Sequence, residues 1–257
     1  MNKLLLSPVS VEMLKSMENV FRDFGIDYYL VGAVARDIYL SADIEAEALR
    51  KTEDIDIAIT INDACQYNEL KKALISTRDF TSDATEAIKL YYKGAIEVDL
   101  LPFGEIESIN RTVNLIDPTF ILNMPGFKEI YPFVNDIEVE NNFTVKVCTM
   151  EGIILLKLIA NNDRPQRTKD ISDIGHIINV YFDLYSGNIY EEHFDIMDSY
   201  NSDKSDYLQL VCSRVIGRKI KQLLKGSDEL NKRIEQILAK RPTAWWQAML
   251  DGMKDKL

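Results

Sequence analysis

The chain has 257 residues, 46% of them hydrophobic, and this length suits one large domain or two small ones with a real core. Its formal net charge of -11 excludes broad, non-specific nucleic-acid binding, which needs a basic surface to replace phosphate counterions. Three widely spaced cysteines predict free or buried thiols in a reducing cytosol, and no stretch approaches the roughly 20 apolar residues of a membrane span, so we expect a cytoplasmic protein without a membrane partner.

The N-terminal part of the chain predicts alternating helices and strands. Helical spacing runs over Val9–Phe24, with Ser10 as the expected N-cap. The aromatic and β-branched stretch Asp27–Val31 predicts a strand. Gly32 interrupts it, and a second helix is expected over Ala33–Leu40.

A second strand and a hairpin are predicted next. The charged segment 41–51 is ambiguous, and residues 44–49 fit an inserted helical turn. A strand follows over Asp54–Thr60, and then a helix that Asn62 or Asp63 caps. Two extended segments flank Lys93-Gly94, which predicts a β-hairpin with arms Glu86–Tyr92 and Ala95–Leu101.

The pattern changes from mixed to helical near residue 145. Residues 102–142 are irregular and contain three prolines, and Phe143–Cys148 predicts one more strand. Thr149 is the expected N-cap of an apolar helix over Gly152–Ala160. Four more helical segments follow: Lys169–Phe182, Lys204–Leu224, Asp228–Ala239 and Thr243–Met253. We therefore predict an α+β fold, with a small mixed-sheet core in residues 1–145 and a helical C-terminal domain in residues 146–257.

The turn at Gly32 and the strand after it carry the chemistry. A glycine turn at a helix N-terminus lets a phosphate approach the backbone. Because strand side chains alternate, Asp54 and Asp56 point to the same side, where they could bind the Mg²⁺ that such a phosphate carries. The combination predicts nucleotidyl transfer.

A third carboxylate is expected from the neighbouring hairpin arm. Transfer of a nucleoside monophosphate uses two metal ions that clamp the attacking and leaving oxygens, and these ions need several carboxylates. Asp99 is the preferred candidate on the polar face of its arm, and Glu97 on the same face is the competitor. Carboxylates crowded in this way would repel each other without a cation.

Residues 28–59 resemble the DNA polymerase β-like nucleotidyltransferase superfamily, and most closely its bacterial AbiEii/AbiGii-type toxin nucleotidyltransferases. That family has a Gly-Gly or Gly-Ser turn, then an acid pair in a Thr-x-Asp-Ile-Asp context, then a third acid. Thr52-Glu53-Asp54-Ile55-Asp56 and Val98-Asp99-Leu100 match the two acidic elements. The resemblance, which covers about residues 25–180, implies a nucleotidyltransferase core that binds ATP or another NTP with Mg²⁺ or Mn²⁺ on Asp54, Asp56 and Asp99.

The resemblance continues into the helical half. Met150–Ala160 is similar to a family helix whose lysine meets nucleotide phosphates, which implies this role for Lys157. Arg164 and Lys169–Ile174 are similar to the next segment, in which an acid assists catalysis, so both Asp170 and Asp173 are candidates. The implied nucleotide-binding residues are Gly32, Ala33, Arg36 and Lys157. We expect Lys157 and one of the two aspartates to face the three acids.

Two features depart from the family pattern. Ala33 stands where many relatives have glycine or serine, which removes a hydroxyl contact to phosphate but leaves the backbone N–H groups. Arg78-Asp79-Phe80-Thr81 is similar to a signature of CCA-adding enzymes, but there the signature follows the third acid, whereas here it precedes Asp99. This order weakens the alternative of a tRNA-end nucleotidyltransferase.

The expected function is metal-dependent transfer of a nucleoside monophosphate to RNA such as tRNA, to a protein or to a small molecule. A toxin-type relative implies a cognate antitoxin as partner. The other alternative is a catalytically degenerate module that only binds nucleotide or a partner. One basic cluster is a candidate RNA-contacting face, although a solvated helix explains it as well. It comprises Lys204, Arg214, Arg218, Lys219, Lys221 and Lys225.

Overall fold

The structure is a computed structural model and describes residues 5–43, 54–116 and 118–256. The chain divides into two compact units, Met1–Thr149 and Met150–Leu257. Segment 44–53, with the expected helical turn at 44–49, lies outside the described residues. Within the described part, no helix combines the length and apolar character needed to cross a bilayer.

The first unit contains a mixed sheet, as the sequence predicted. Its seven strands in the described residues have the order β3-β4-β5-β2-β1-β9-β8, and β6 and β7 form a separate hairpin. The pairs β2/β5 and β1/β9 are parallel, and the other neighbours are antiparallel. The strands are β1 (Tyr28–Val31), β2 (Asp54–Thr60), β3 (Phe80–Ser82), β4 (Lys89–Tyr92), β5 (Ile96–Phe103), β6 (Thr112–Ile116), β7 (Thr119–Asn123), β8 (Asn135–Glu140) and β9 (Phe143–Val147).

Helices flank this sheet in the chain order of the first unit. They are α1 (Pro8–Asp23), α2 (Gly32–Asp43), α3 (Ala64–Ser76) and the short α4 (Phe127–Ile130), which runs into a 3₁₀ turn over Tyr131–Phe133. Ser10 was the wrong N-cap for α1: the Ser7 hydroxyl accepts from the Ser10 N–H at 3.1 Å, because Pro8 occupies the first helical position, where its missing N–H costs nothing. Of the two candidates for α3, Asp63 is the cap and accepts from the Gln66 N–H.

One face of the sheet is apolar and forms the core of the first unit. Ile55, Ile57 and Ile59 of β2 alternate inward and are almost completely buried. Val98 and Leu100 of β5 continue the same buried surface. Burial of these side chains leaves the intervening residues of both strands on the opposite face of the sheet, where the acidic residues lie.

The second unit is helical in its described residues, as expected. Its helices are α5 (Met150–Asp163), α6 (Thr168–Glu192), α7 (Phe194–Met197), α8 (Tyr207–Leu223), α9 (Asp228–Ala239) and α10 (Ala244–Lys254). Helices α8 and α10 cross closely: a Cβ on Gly217 would lie 2.0 Å from the Met249 carbonyl oxygen, and a Cβ on Gly252 equally close to that of Arg214. Cys65 is exposed, Cys148 and Cys212 are buried, and all three are free thiols.

Candidate active site

Strands β2 and β5 place four carboxylates on one side of the sheet. Their parallel register sets Asp54 opposite Glu97 and Asp56 opposite Asp99. Neighbouring strands lie about 4.7–4.9 Å apart, so directly paired residues on the same side are close enough for their side chains to share a ligand. We call this side, with Asp54, Asp56, Glu97 and Asp99, the carboxylate face.

Asp99 is the most perturbed member of the carboxylate face. Its Oδ1 atom is buried and has no hydrogen-bond partner. Burial raises the pKa of Asp99 to about 6, and repulsion from Glu97, Glu86 and Asp54 adds to this effect, while Lys89 opposes it. A buried carboxylate oxygen without a partner is costly, and a cation beside it would relieve that cost.

Glu97, the competitor for the third acid, is already paired. The Lys89 ammonium forms an ion pair and hydrogen bond with Glu97, and this bond raises the pKa of Lys89. Lys89 belongs to β4 and stands opposite Asp99 in the antiparallel register, a contact that the sequence analysis missed. The pairing of Glu97 leaves Asp99 as the better candidate for a metal ligand.

The glycine turn touches the acid pair directly. Gly32 has φ of +67°, a left-handed conformation that favours glycine, at the first position of α2. A Cβ at this position would lie 2.1 Å from Oδ2 of Asp56, so the Asp56 carboxylate packs against the bare glycine backbone. The first-turn N–H groups of a helix have no intrahelical acceptor, and here they begin beside a carboxylate of the candidate site.

Arg36 lies deeper than a nucleotide-binding residue should. Its side chain is 1% exposed, and its Nε donates to Asp37 Oδ1 at 2.8 Å. A guanidinium in this position braces the first turns of α2 from inside the unit. Contact between Arg36 and a nucleotide would require this buried pair to open, so Arg36 fits a positioning role better than a direct contact.

The residues of the carboxylate face suit a hard divalent cation by donor type. Across 5–43, 54–116 and 118–256, no three His, Cys, Asp or Glu side chains already stand as a closed metal site. The donors on the face are nevertheless the carboxylate oxygens that Mg²⁺ and Mn²⁺ prefer. The unpartnered Oδ1 of Asp99 is the observation that indicates room for such an ion.

The second unit brings three other sequence candidates into one cluster. Lys157 Nζ lies 2.7 Å from Asp173 Oδ2 and 3.5 Å from Asp170 Oδ1. Both aspartates are almost completely buried, so this apolar helix carries its lysine to buried anions rather than to solvent. Arg167 Nε donates to Asp170 Oδ2 at 3.0 Å, whereas the exposed Arg164, which the sequence analysis named, has no ion pair with a described residue.

The basic cluster expected on α8 is largely neutralised. Arg214 and Arg218 both pair with Asp255, and Arg218 also forms a fork with Asp195. Lys221 donates to the backbone oxygen of Asp255. These contacts tie α8 to the C-terminal end of α10 and favour a structural role for the cluster over an RNA-contacting one.

Comparison with known proteins relates the whole of this architecture to one family. The sequence model described as "Nucleotidyl transferase AbiEii toxin, Type IV TA system" matches residues 23–257. The match therefore includes the C-terminal helices, which the resemblance to about residue 180 left out. No curated protein was found to match the chain.

Solved structures with a similar course of the chain are distant in sequence. The solution structure of the antibiotic-resistance factor ANT(2'')-Ia is 12% identical, with a TM-score of 0.42, over 87% of this chain and 99% of that one. An antigenic nucleotidyltransferase-like protein from Paracoccidioides brasiliensis is 16% identical, with a TM-score of 0.42, over 76% and 93% of the two chains. The family match over residues 23–257 makes this chain a nucleotidyltransferase that belongs to the AbiEii toxin family of type IV toxin–antitoxin systems.

Proposed function

We propose that the protein transfers a nucleoside monophosphate from ATP or another NTP to an acceptor, with Mg²⁺ or Mn²⁺ on Asp54, Asp56 and Asp99. The acceptor nucleophile would form a bond to the α-phosphorus, the bond to the β-phosphate oxygen would break, and pyrophosphate would leave. The metal, when bound, supplies positive charge to the attacking and leaving oxygens. A cytoplasmic location, which the free cysteines suit, belongs to the same proposal.

The pairing of Asp56 with Asp99 is the observation that carries this proposal. These residues come from different strands, stand opposite each other and share a face with Asp54. Asp99 keeps a buried oxygen without a partner although Lys89 is nearby, and Lys89 is engaged by Glu97. Such an arrangement raises the free energy of the folded protein unless a ligand uses it, which is typical of a functional site.

The other candidate residues receive roles that match their positions. The backbone at Gly32 and Ala33 would bind phosphate oxygens at the start of α2, and Arg36 would hold that turn in place. Lys157 would bind nucleotide phosphate by exchanging part of its contact with Asp170 and Asp173. One of these two aspartates would then be released to assist the acceptor.

Family membership supports a biological partner for this activity. The AbiEii toxin belongs to a type IV toxin–antitoxin system, so we propose that a cognate antitoxin counteracts the enzyme. The toxic effect would come from nucleotide addition to an RNA such as tRNA, or to a protein. The carboxylate face itself does not distinguish these acceptors.

The test is incorporation of each α-³²P-labelled NTP, with Mg²⁺ or Mn²⁺, into total RNA and into the purified protein itself. We expect label with wild-type protein and a loss of at least about 100-fold with Asp56→Ala, since the variant lacks a carboxylate next to the reacting phosphate. The position of the label identifies the acceptor class, and the preferred NTP identifies the base.

Two results would count against this function. Equal label with wild type and Asp56→Ala would show that transfer occurs elsewhere or by a contaminant. Absence of label with every NTP, together with an NTP-dependent rise in melting temperature, would favour the nucleotide-binding alternative without catalysis. A melt of Asp56→Ala alongside the assay separates lost chemistry from lost folding.

A further inference from the structure

A second site is suggested by an arginine of the helical unit that has no acidic partner. Arg241 follows α9 and donates from Nη2 to the side-chain oxygen of Asn161 at 2.7 Å. Its guanidinium lies 4.6 Å from the centroid of the Trp246 ring. None of the described residues forms an ion pair with it, although the chain as a whole is strongly acidic.

The guanidinium is held rigidly but is not saturated. Trp246 is 3% exposed and supplies a fixed surface under one face of Arg241, and Asn161 on α5 fixes one edge. Partial burial lowers the pKa of Arg241, the sign of a cation that has lost water without gaining an anion. An arginine has five N–H donors, and the bond to Asn161 uses only one of them.

A second arginine is anchored at the same asparagine. The Asn161 side-chain N–H donates to the backbone oxygen of Arg167 at 3.1 Å, so Asn161 joins the Arg241 segment to the turn between α5 and α6. That turn also carries Arg164 and Lys169, which are exposed and have no ion pair with described residues. The nearby acids are already engaged, Asp163 by Arg233 and Asp170 by Arg167 and Lys157.

We propose that Arg241, held by Asn161 and Trp246 and flanked by the α5–α6 turn, is a phosphate-binding site of the helical unit. A planar guanidinium with free parallel donors matches the oxygens of a phosphate in a two-bond arrangement. The positive turn beside it suits a ligand with more than one phosphate. This chemistry has two sources, the backbone of a single-stranded RNA acceptor and the phosphates of an NTP.

The first source rests on the proposed transfer to RNA, but its binding can be measured without turnover. A fluorescein-labelled 12-nucleotide RNA and ATP serve as separate probes, both without divalent metal so that no transfer occurs. Arg241→Gln removes the charge and the guanidinium fork, and Arg241→Lys restores the charge alone. Lys232→Gln is the matched control, because it removes one positive charge from an exposed α9 residue without an ion pair in the described chain.

For RNA, we expect Arg241→Gln to weaken binding about 5- to 10-fold and to reduce the slope of log K against log salt by about 0.7, the value for one lost phosphate contact on a single strand. Arg241→Lys should recover part of the affinity, and Lys232→Gln should leave affinity and slope near wild type. The same pattern with ATP instead of RNA would assign the site to the nucleotide.

Equal binding of both probes by wild type and Arg241→Gln would overturn the proposal. So would an equal loss in Arg241→Gln and Lys232→Gln, because that result would show only a response to net charge. If Arg241→Gln melts well below wild type, the comparison of Arg241→Lys with wild type in salt slope decides the matter. RNA binding that depends on Arg241 without any nucleotide incorporation would contradict the transfer function while supporting the phosphate site.

Discussion

Replacement of Asp99 by asparagine is expected to abolish nucleotidyl transfer and, at the same time, to stabilise the metal-free protein. Activity should fall by more than the roughly 10- to 100-fold that outer-shell partners of a metal typically contribute, because the variant removes a proposed direct ligand. Stability should rise because the buried Oδ1 of Asp99 has no partner and burial raises the pKa of this carboxyl to about 6.

The pH dependence of this effect follows from the direction of the shift. Since the pKa of Asp99 is higher in the folded chain than its usual value of 3.8, the ionised carboxylate destabilises the fold above pH 6, and this penalty disappears as the pH falls towards 4. The partly exposed side chain reduces the gain to about 1 kcal/mol. We therefore expect Asp99→Asn to melt about 2–4 °C above wild type at pH 7.5 and no higher at pH 4.

Glu97→Gln is the matched control on the same face. Glu97 is held by Lys89, so its amide variant should lose an ion pair, gain no stability and retain most of its activity. Addition of Mg²⁺ should raise the melting temperature of wild type but not of Asp99→Asn. Loss of activity in Glu97→Gln with retention in Asp99→Asn would reverse the assignment of the third acid.

Gly32→Ala is expected to reduce activity about 100-fold with only a moderate loss of stability. The added Cβ would stand 2.1 Å from Asp56 Oδ2, and the end of a flexible side chain can rotate away at little cost in folding energy. That rotation removes the Asp56 carboxylate from the carboxylate face, and a displacement of about 1 Å near the chemistry is enough for a loss of this size.

The chain offers a closely matched control for this glycine. Gly94 in the hairpin also has φ of +67°, but a Cβ there would meet no atom within 4 Å. Both alanine variants should lose about 1 kcal/mol through backbone strain, and only Gly32→Ala should lose transfer activity. Urea unfolding and initial rates measured on both variants test this difference. Equal activity of the two variants would show that the turn does not position Asp56.

The fold was predictable where the signal is local. Strand β2 and helix α9 have the bounds that alternation and helical spacing predicted, Asp54–Thr60 and Asp228–Ala239. Strand β3 was not predicted, because three residues are too few for a periodic pattern. Strand β9 lies parallel to β1 through a pairing of Leu30 with Val147, and such a distant contact leaves no local trace in the sequence.

The candidate site divides in the same way. Alternation alone was enough to group Asp54 with Asp56 and Glu97 with Asp99, and the register of β2 and β5 then joined the two pairs. Which acid is free depends on Lys89, whose position opposite Asp99 follows only from the hairpin register. The contact of Arg241 with Asn161 spans 80 residues between separate helices, so no spacing rule could indicate it.

Binding of Mn²⁺ with a non-hydrolysable NTP analogue, located by anomalous diffraction from crystals of the whole chain, tests the central claim most directly. We predict Mn²⁺ at the carboxylate face, in contact with Asp54, Asp56 and Asp99, with the analogue's phosphates against the turn at Gly32. Mn²⁺ and analogue bound elsewhere, with these three carboxylates unliganded, would contradict the assignment of this face as the site of nucleotidyl transfer.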